Sequence, residues 1–337
     1  MRGPGTRRTL LLFLTLLVAP VPVGAQQTRL ETLNVSFHTL VPSYAPFWIA
    51  KDKGFFEKYG LDVRFTYIAS SAIAFSALIS GDVHLTTVSS APAMAALARG
   101  APVAIVAAFG PTRFKLVAHS SITSLQALKG KTIGNSRPGG SVDFAIQRLV
   151  RKLGLVAGKD VQVLTTGVQE SRRRIMLISQ GKVDATIATA VDISELEQKG
   201  YKFNVLADLT ELGIYGSGAV VCVTRRFLAD HRPTVRAFLM AFSEGIWMGK
   251  TQKKVAFETF RKFLKVDEPR LFEGWHKQYI LEQIPAKPFP LEEAMLSDIE
   301  DLSVHQPELK GKRLSEFVDV SILKELEREG FFSRLHR

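Results

Sequence analysis

Two stretches one hundred residues apart repeat each other. Gly81 to Pro92 reads GDVHLTTVSSAP, and Gly181 to Asp192 reads GKVDATIATAVD. Gly81 matches Gly181, Val83 matches Val183, Thr86 matches Thr186 and Ser89 matches Thr189. Each copy has a glycine that stops a helix, then a short apolar, threonine-rich run, then a small hydroxyl residue where that run ends. This is the pattern of a helix end, a buried strand and a strand terminus opening into a loop. A second echo lies upstream. Residues 33–65 and 131–163 both read as strand, small-residue loop, amphipathic helix, Gly-Leu stop and strand. Repeats in the same order and at nearly the same offset confine the chain to two similar βαβαβ units. Two facing α/β units imply a cleft, with Ser89 and Thr189 at comparable positions on its walls.

The fold is expected to begin after a leader. Arg2, Arg7 and Arg8 precede the apolar run Leu10 to Val18, and Val23-Gly24-Ala25 is a small-residue cleavage site. The apolar run is too short for the ~20 residues that span a bilayer. Residues 1–25 therefore read as a secretory signal peptide cleaved after Ala25. Cys222 is the one cysteine of the chain, so no intramolecular disulfide can form. It lies in GAVVCVT, where a buried and inert thiol is expected.

Formal net charge is +12, and three of the arginines lie in the leader. The other basic residues are spread along helices among acids. Without clustering or aromatic interleaving, nucleic acid is not an expected partner. The densest run, Arg172-Arg173-Arg174, reads as a solvated helix face.

Strands are expected near 33–37, 63–68, 103–109, 114–118, 132–134, 160–164, 185–188, 203–206 and 219–223, besides the first repeated stretch. From Arg225 onward helical periodicity takes over, near 233–248, 253–263, 269–280, 291–302 and 322–329. These helices are expected to pack on a lobe rather than form a free domain.

Four places combine a strand end, small residues and a helix start: Ser43-Tyr44-Ala45, Ser89-Ser90-Ala91, Gly139-Gly140-Ser141 and Thr189-Ala190-Val191. In α/β folds ligands bind at the strand carboxyl ends, where helix N-termini offer unpaired N–H groups. Gly139 and Gly140 permit close backbone approach, but no GxxxxGK[ST] phosphate loop is present. Tyr44, Phe47, Trp48, Phe109 and Tyr215 are candidate pocket aromatics, with Tyr44 and Tyr215 preferred because they sit among small loop residues. His38 is the histidine nearest a candidate loop. Asp192 either caps a helix or binds a ligand amine. No HExxH, CxxC or GxSxG pattern is present, so neither a metal enzyme nor a hydrolase has positive support, and no cofactor is expected.

The elements PSYAPFWIAKDKGFFEKYGLDV, LISGDVHLTTVSSAPAMAALARGAPV, KGKTIGNSRPGGSVDFAIQRLV and SQGKVDATIATAVDISELEQKG, with the leader, carry a family resemblance. The chain resembles periplasmic substrate-binding proteins of ABC importers, in the group of alkanesulfonate, taurine, nitrate and thiamine-pyrimidine-precursor binders. The resemblance implies an α/β, two-lobed periplasmic-binding-protein fold of type II, with the helical C-terminal segment packed on lobe one. Lobe one would be residues 32–115 plus 224–337, lobe two 116–223, with crossings at 114–118 and 219–223. It implies ligand loops at Ser43-Tyr44-Ala45, Ser89-Ser90, Gly139-Gly140-Ser141 and Thr189. It also implies a periplasmic monomer that hands a small ligand to a membrane permease. Two alternatives stay open: a pyrimidine-precursor synthase of the same fold, and a ligand-sensing partner of a membrane receptor. The enzyme branch carries a Cys-rich motif that a single cysteine cannot supply. His84 also stands where the second copy has Asp184.

Overall fold

The computed structural model describes residues 1, 30–68, 70–215, 218–304 and 306–335. The expected leader, apart from Met1, lies outside the described residues. The first unit runs β1 (Glu31–Phe37), α1 (Ala45–Asp52), α2 (Phe55–Lys58), β2 (Leu61–Tyr67), α3 (Ser71–Ser80), β3 (Leu85–Ser89), α4 (Ser90–Ala98) and β4 (Val103–Ala108). The second runs β5 (Lys115–His119), β6 (Thr132–Asn135), α5 (Ser141–Lys152), β7 (Gln162–Thr165), α6 (Ser171–Ser179), β8 (Ala185–Ala188), α7 (Ala190–Gln198) and β9 (Phe203–Asp208). Then follow β10 (Ala219–Thr224), α8 (Arg225–Asp230), α9 (Arg232–Thr251), α10 (Lys253–Leu264) and α11 (Pro269–Trp275). A π-helical segment, His276–Gln283, leads to α12 (Glu292–Ser303), α13 (Ser321–Arg328) and α14 (Phe331–Leu335).

The strands form two mixed sheets of the same design. One has the order β2-β1-β3-β10-β4, the other β7-β6-β8-β5-β9. In each, four strands run the same way and one antiparallel strand, β10 or β5, is inserted next to the last of them. The sequence reading assigns residues 219–223 to lobe two. Backbone pairing instead puts them in the first sheet, between β3 and β4. The chain thus returns to the first sheet upstream of Ala219.

The repeat has a physical cause. Val35 pairs with Leu85 as Ile133 pairs with Ala185. One step earlier, the Asn34 N–H donates to His84 Nδ1 at 3.0 Å, and the Thr132 N–H donates to Asp184 Oδ2 at 2.8 Å. His84 and Asp184 are thus equivalent, since each accepts a strand-edge N–H that would otherwise lack a partner. The departure of the first copy from Val-Asp is a change of acceptor, not of architecture. Burial lowers the pKa of His84, which favours the neutral ring that can accept.

Apolar residues of both sheet faces and the C-terminal helices make the core. Phe47, Phe56, Phe238, Phe242, Phe260 and Phe272 are among its largest fully buried side chains. Cys222 is buried in β10, and burial pushes its thiol well above the usual range, as expected of an inert core cysteine. One expectation is overturned. Arg172 and Arg173 lie on the accessible face of α6, but Arg174 is 1% exposed. Its guanidinium donates to the carbonyls of Val168 (3.0 Å), Gln169 (2.5 Å) and Ile187 (3.0 Å) and to Thr186 Oγ1 (3.2 Å). Burial lowers its pKa only to about 10, so it stays charged and ties the α6 entry loop to β8.

Candidate functional site: a polar cleft at the strand ends

β1 ends before His38, β3 ends at Ser89, and β6 ends at Asn135. Between these carboxyl ends lies a cavity of about 730 Å³ that takes residues from both units. The first unit contributes His38, Ser43, Tyr44, Ser70 and Ser89; the second contributes Ser136, Arg137, Gly139, Gly140 and Ser141. Such a volume suits a small organic molecule.

On the first wall a hydrogen-bond chain is fixed by two backbone carbonyls. The Thr87 hydroxyl reaches Ser36 O at 3.4 Å, and Tyr44 Oη donates to Thr87 Oγ1 at 2.9 Å. His38 Nδ1 lies 3.0 Å from Thr87 O and 2.9 Å from Tyr44 Oη. A carbonyl only accepts, so Nδ1 carries the proton and Nε2 is left as an acceptor. Ser89 Oγ is the polar neighbour of Nε2, at a long 3.4 Å.

Burial, with the positive charge of Arg137 adding to it, holds the His38 pKa down at about 4 against an opposing bond to Thr87. This fixes the sign of a pH effect. The unfolded chain binds the proton near pH 6.5, while the folded chain resists it until about pH 4. Stability from this group is therefore complete above pH 6.5 and falls as pH drops toward 4. The expected loss is about 3 kcal/mol between pH 7 and pH 4. Urea melts of wild type and His38→Phe at both pH values test it; equal pH slopes would refute the assignment.

On the facing wall, Gly139 takes φ +70° and turns the loop into α5. Asp143, in the first turn, accepts from Gly139 N (2.8 Å) and Asn135 Nδ2 (2.7 Å) and holds the loop in place. Gly140 at the N-cap has no side chain to cap α5. Ser141 Oγ and Asn135 Oδ1 are buried and unpaired in this structure. Arg137 is exposed and has no acidic partner among the described residues. With His38 neutral it is the one charged side chain among the described residues that line the cavity, and none of those residues is an acid.

Six of the candidate residues line this space: Ser43, Tyr44, Ser89, Gly139, Gly140 and Ser141. The other six do not. Ala45 is buried in the first turn of α1. Phe109 is fully buried behind Tyr44, stacked on it at 4.7 Å between ring centroids. Ser90 turns away to donate to Asp298. Thr189 caps α7 and meets Tyr279, while Asp192 accepts from Thr189 Oγ1 (3.0 Å) and from Ser171. Asp192 thus takes neither of its two open readings in this structure: Thr189 is the cap of α7, and the Asp192 carboxylate accepts two side-chain hydroxyls. The backbone carbonyl of Tyr215 accepts from Arg148. Phe47 and Trp48 are core residues.

Sequence reasoning missed Tyr279 and Gln283, which enter the cavity from the π-helical segment. Gln278, on the same segment, accepts from Val191 N at 2.8 Å. The N-terminus of α7 is therefore occupied by protein side chains from the C-terminal segment. The available signal was weak: a run of polar and aromatic residues, HKQYILEQ, at the end of a helical stretch. The insertion of an extra residue per turn, common at functional sites, has no local signature.

A family description, NMT1/THI5 like, matches residues 41–250. The chain belongs to the NMT1/THI5-like family. A riboflavin-binding protein, RibY of Chloroflexus aurantiacus, is 24% identical over 79% of this chain and 75% of its own length. A 4-amino-5-hydroxymethyl-2-methylpyrimidine phosphate synthase of Uromyces fabae is 26% identical over 60% of this chain and 62% of its own. Among solved structures, the periplasmic aliphatic sulphonate binding protein SsuA of Escherichia coli aligns with a TM-score of 0.66. It is 20% identical and covers 87% of this chain and 91% of SsuA. The fold is that of the periplasmic binding proteins. No helix among the described residues is long and apolar enough to cross a membrane.

Proposed function

We propose that this family member is an exported solute-binding protein. It captures a small polar or anionic organic solute between two lobes and passes it to the membrane permease of an ABC importer. In this reading the leader is removed after Ala25 and the mature chain works as a periplasmic monomer. Lobe one holds β1–β4, β10 and the C-terminal helices; lobe two holds β5–β9. The observation that carries the reading is the cleft at the strand ends, walled by both units, where the described lining residues include an arginine without an acidic partner and no acid. A ligand that contacts both walls favours the closed arrangement and shifts the population toward it. RibY and SsuA add support as relatives named for binding.

A thermal-shift panel of sulfonates, nitrate, bicarbonate, riboflavin, pyrimidines, aromatic acids and polyamines tests it. A true ligand at about 100 times its Kd adds roughly 2.7 kcal/mol. Stabilisation by an acid or a neutral polar compound is expected, with none from polyamines. Ser141→Trp fills the cleft and is expected to abolish the shift while the unliganded melting temperature holds. A shift that survives Ser141→Trp places the ligand elsewhere, and a polyamine hit overturns the charge argument. A second reading, synthase activity, rests on relatives such as the Uromyces protein. Product formation by the purified protein would favour it.

A further inference from the structure

The two walls of the cleft differ in polarity. On the second wall stand the Arg137 guanidinium and the uncapped first turn of α5, which offer donors and positive charge. The first wall also carries serine hydroxyls, but its His38–Tyr44–Thr87 network is the opposite, because the protons of that network point inward. Ser36 O and Thr87 O can only accept, so Thr87 Oγ1 and His38 Nδ1 must donate to them. Tyr44 spends its proton on Thr87 Oγ1 at 2.9 Å. What this network leaves facing the cavity is the lone pair of His38 Nε2. If Ser89 gives its proton to Nε2 across 3.4 Å, the Ser89 oxygen becomes the acceptor in its place. Either arrangement presents an acceptor on this part of the wall, at Nε2 itself or 3.4 Å away at Ser89 Oγ. Burial keeps the imidazole neutral, so it does not turn into a donor near neutral pH.

Given the anion reading above, on which this inference rests, we propose that His38 is a specificity-determining residue. It selects organic anions that carry, away from the acidic group, an uncharged N–H or O–H donor such as a ring N–H or a hydroxyl. An ammonium donor fits less well, since the described residues lining the cavity include no carboxylate to neutralise it. A methylated ligand would leave this acceptor with only the long Ser89 contact, a fault that sites built for a donor reject strongly.

The test uses matched probes on the mature protein: 3- and 4-hydroxybenzoate and orotate, each against its O-methyl or N-methyl counterpart. Dissociation constants come from calorimetry with wild type, His38→Phe and Ser89→Ala. Wild type should bind at least one donor-bearing acid at least tenfold more tightly than its methylated partner. That ratio should fall to near one in His38→Phe and persist in Ser89→Ala. Equal binding of the two partners by wild type overturns the inference while leaving the anion reading intact. Binding of no acid at all overturns the anion reading, and the inference falls with it. Should His38→Phe misfold, nitrogen-15 spectra of the wild-type imidazole decide: a protonated Nδ1 with a bare Nε2 is required, and the reverse tautomer sinks the proposal.

Discussion

Replacing Arg148 by methionine is expected to destabilise the protein by about 4 kcal/mol, because it strips a guanidinium from two buried carboxylates. Arg148 lies on α5, behind the cleft loop, and its side chain is 7% exposed. It donates to Asp298 Oδ1 at 2.6 Å, to Asp301 and to the carbonyl of Tyr215. The side chains of Asp298 and Asp301, on α12, are 1% and 8% exposed. Ser90 of the first unit also donates to Asp298, so the cluster joins both units to the C-terminal helices. The penalty of losing one partner from a buried pair exceeds what the pair contributes, since the remaining charge stays desolvated.

The pH dependence gives this prediction its signature. Burial already raises the pKa of Asp301 and Arg148 opposes that rise. Without the arginine the carboxyl rises further and takes up a proton more readily. The deficit of Arg148→Met should therefore be largest near pH 8 and shrink as pH falls toward 5. Denaturant melts across that range check it. A loss under 1 kcal/mol, or one that grows in acid, would show that the cluster is not the lock between α5 and α12.

Gly110→Val is expected to cost a similar amount, about 4 kcal/mol, through backbone strain and overpacking. Gly110 follows β4 at the first crossing and has φ +81°. A Cβ there would lie 2.1 Å from Gln283 O, which is main chain and cannot swing aside. Gly218, at the return crossing, would place its own Cβ 2.2 Å from Gly110 O. The two crossings and the end of the π-helical segment are thus stacked main chain on main chain. Valine at 110 must push Gln283 away, and Gln283 lines the cleft. Gly100 serves as control, with φ +83° and open space for 4 Å around the position a Cβ would take. Gly100→Val carries the strain alone. If the two variants lose equal stability, the close stacking at the crossing is not a constraint. A cleft ligand found by thermal shift should also bind more weakly to Gly110→Val and unchanged to Gly100→Val.

The candidate loops divide by how local their determinants are. Gly139-Gly140-Ser141 was readable because a strand, two glycines and an amphipathic helix follow one another within the chain. Ser43, Tyr44 and Ser89 were readable for the same reason. Thr189 shares the pattern of Ser89, yet Gln278 and Tyr279 occupy its helix start, and they come from about ninety residues downstream. Repeat symmetry alone could not show that one of two equivalent strand ends had been covered by the C-terminal segment. Arg174 was misread because its neighbours Arg172 and Arg173 are accessible. One residue further, helix rotation carries the side chain inward to carbonyls of β8 and the preceding loop.

Alternation of apolar residues, glycine stops and hydroxyl strand ends determined the ten strands, the helical C-terminal third and the twofold repetition of one unit. Those signals act over a few residues, through backbone dihedrals and side-chain period. Only the tertiary structure decided which strands changed sheets, which strand ends stayed open and which polar groups face the cleft. Each of those outcomes depends on partners far apart in the chain, and a hydrogen bond or a close main-chain approach leaves no mark on either partner's local sequence.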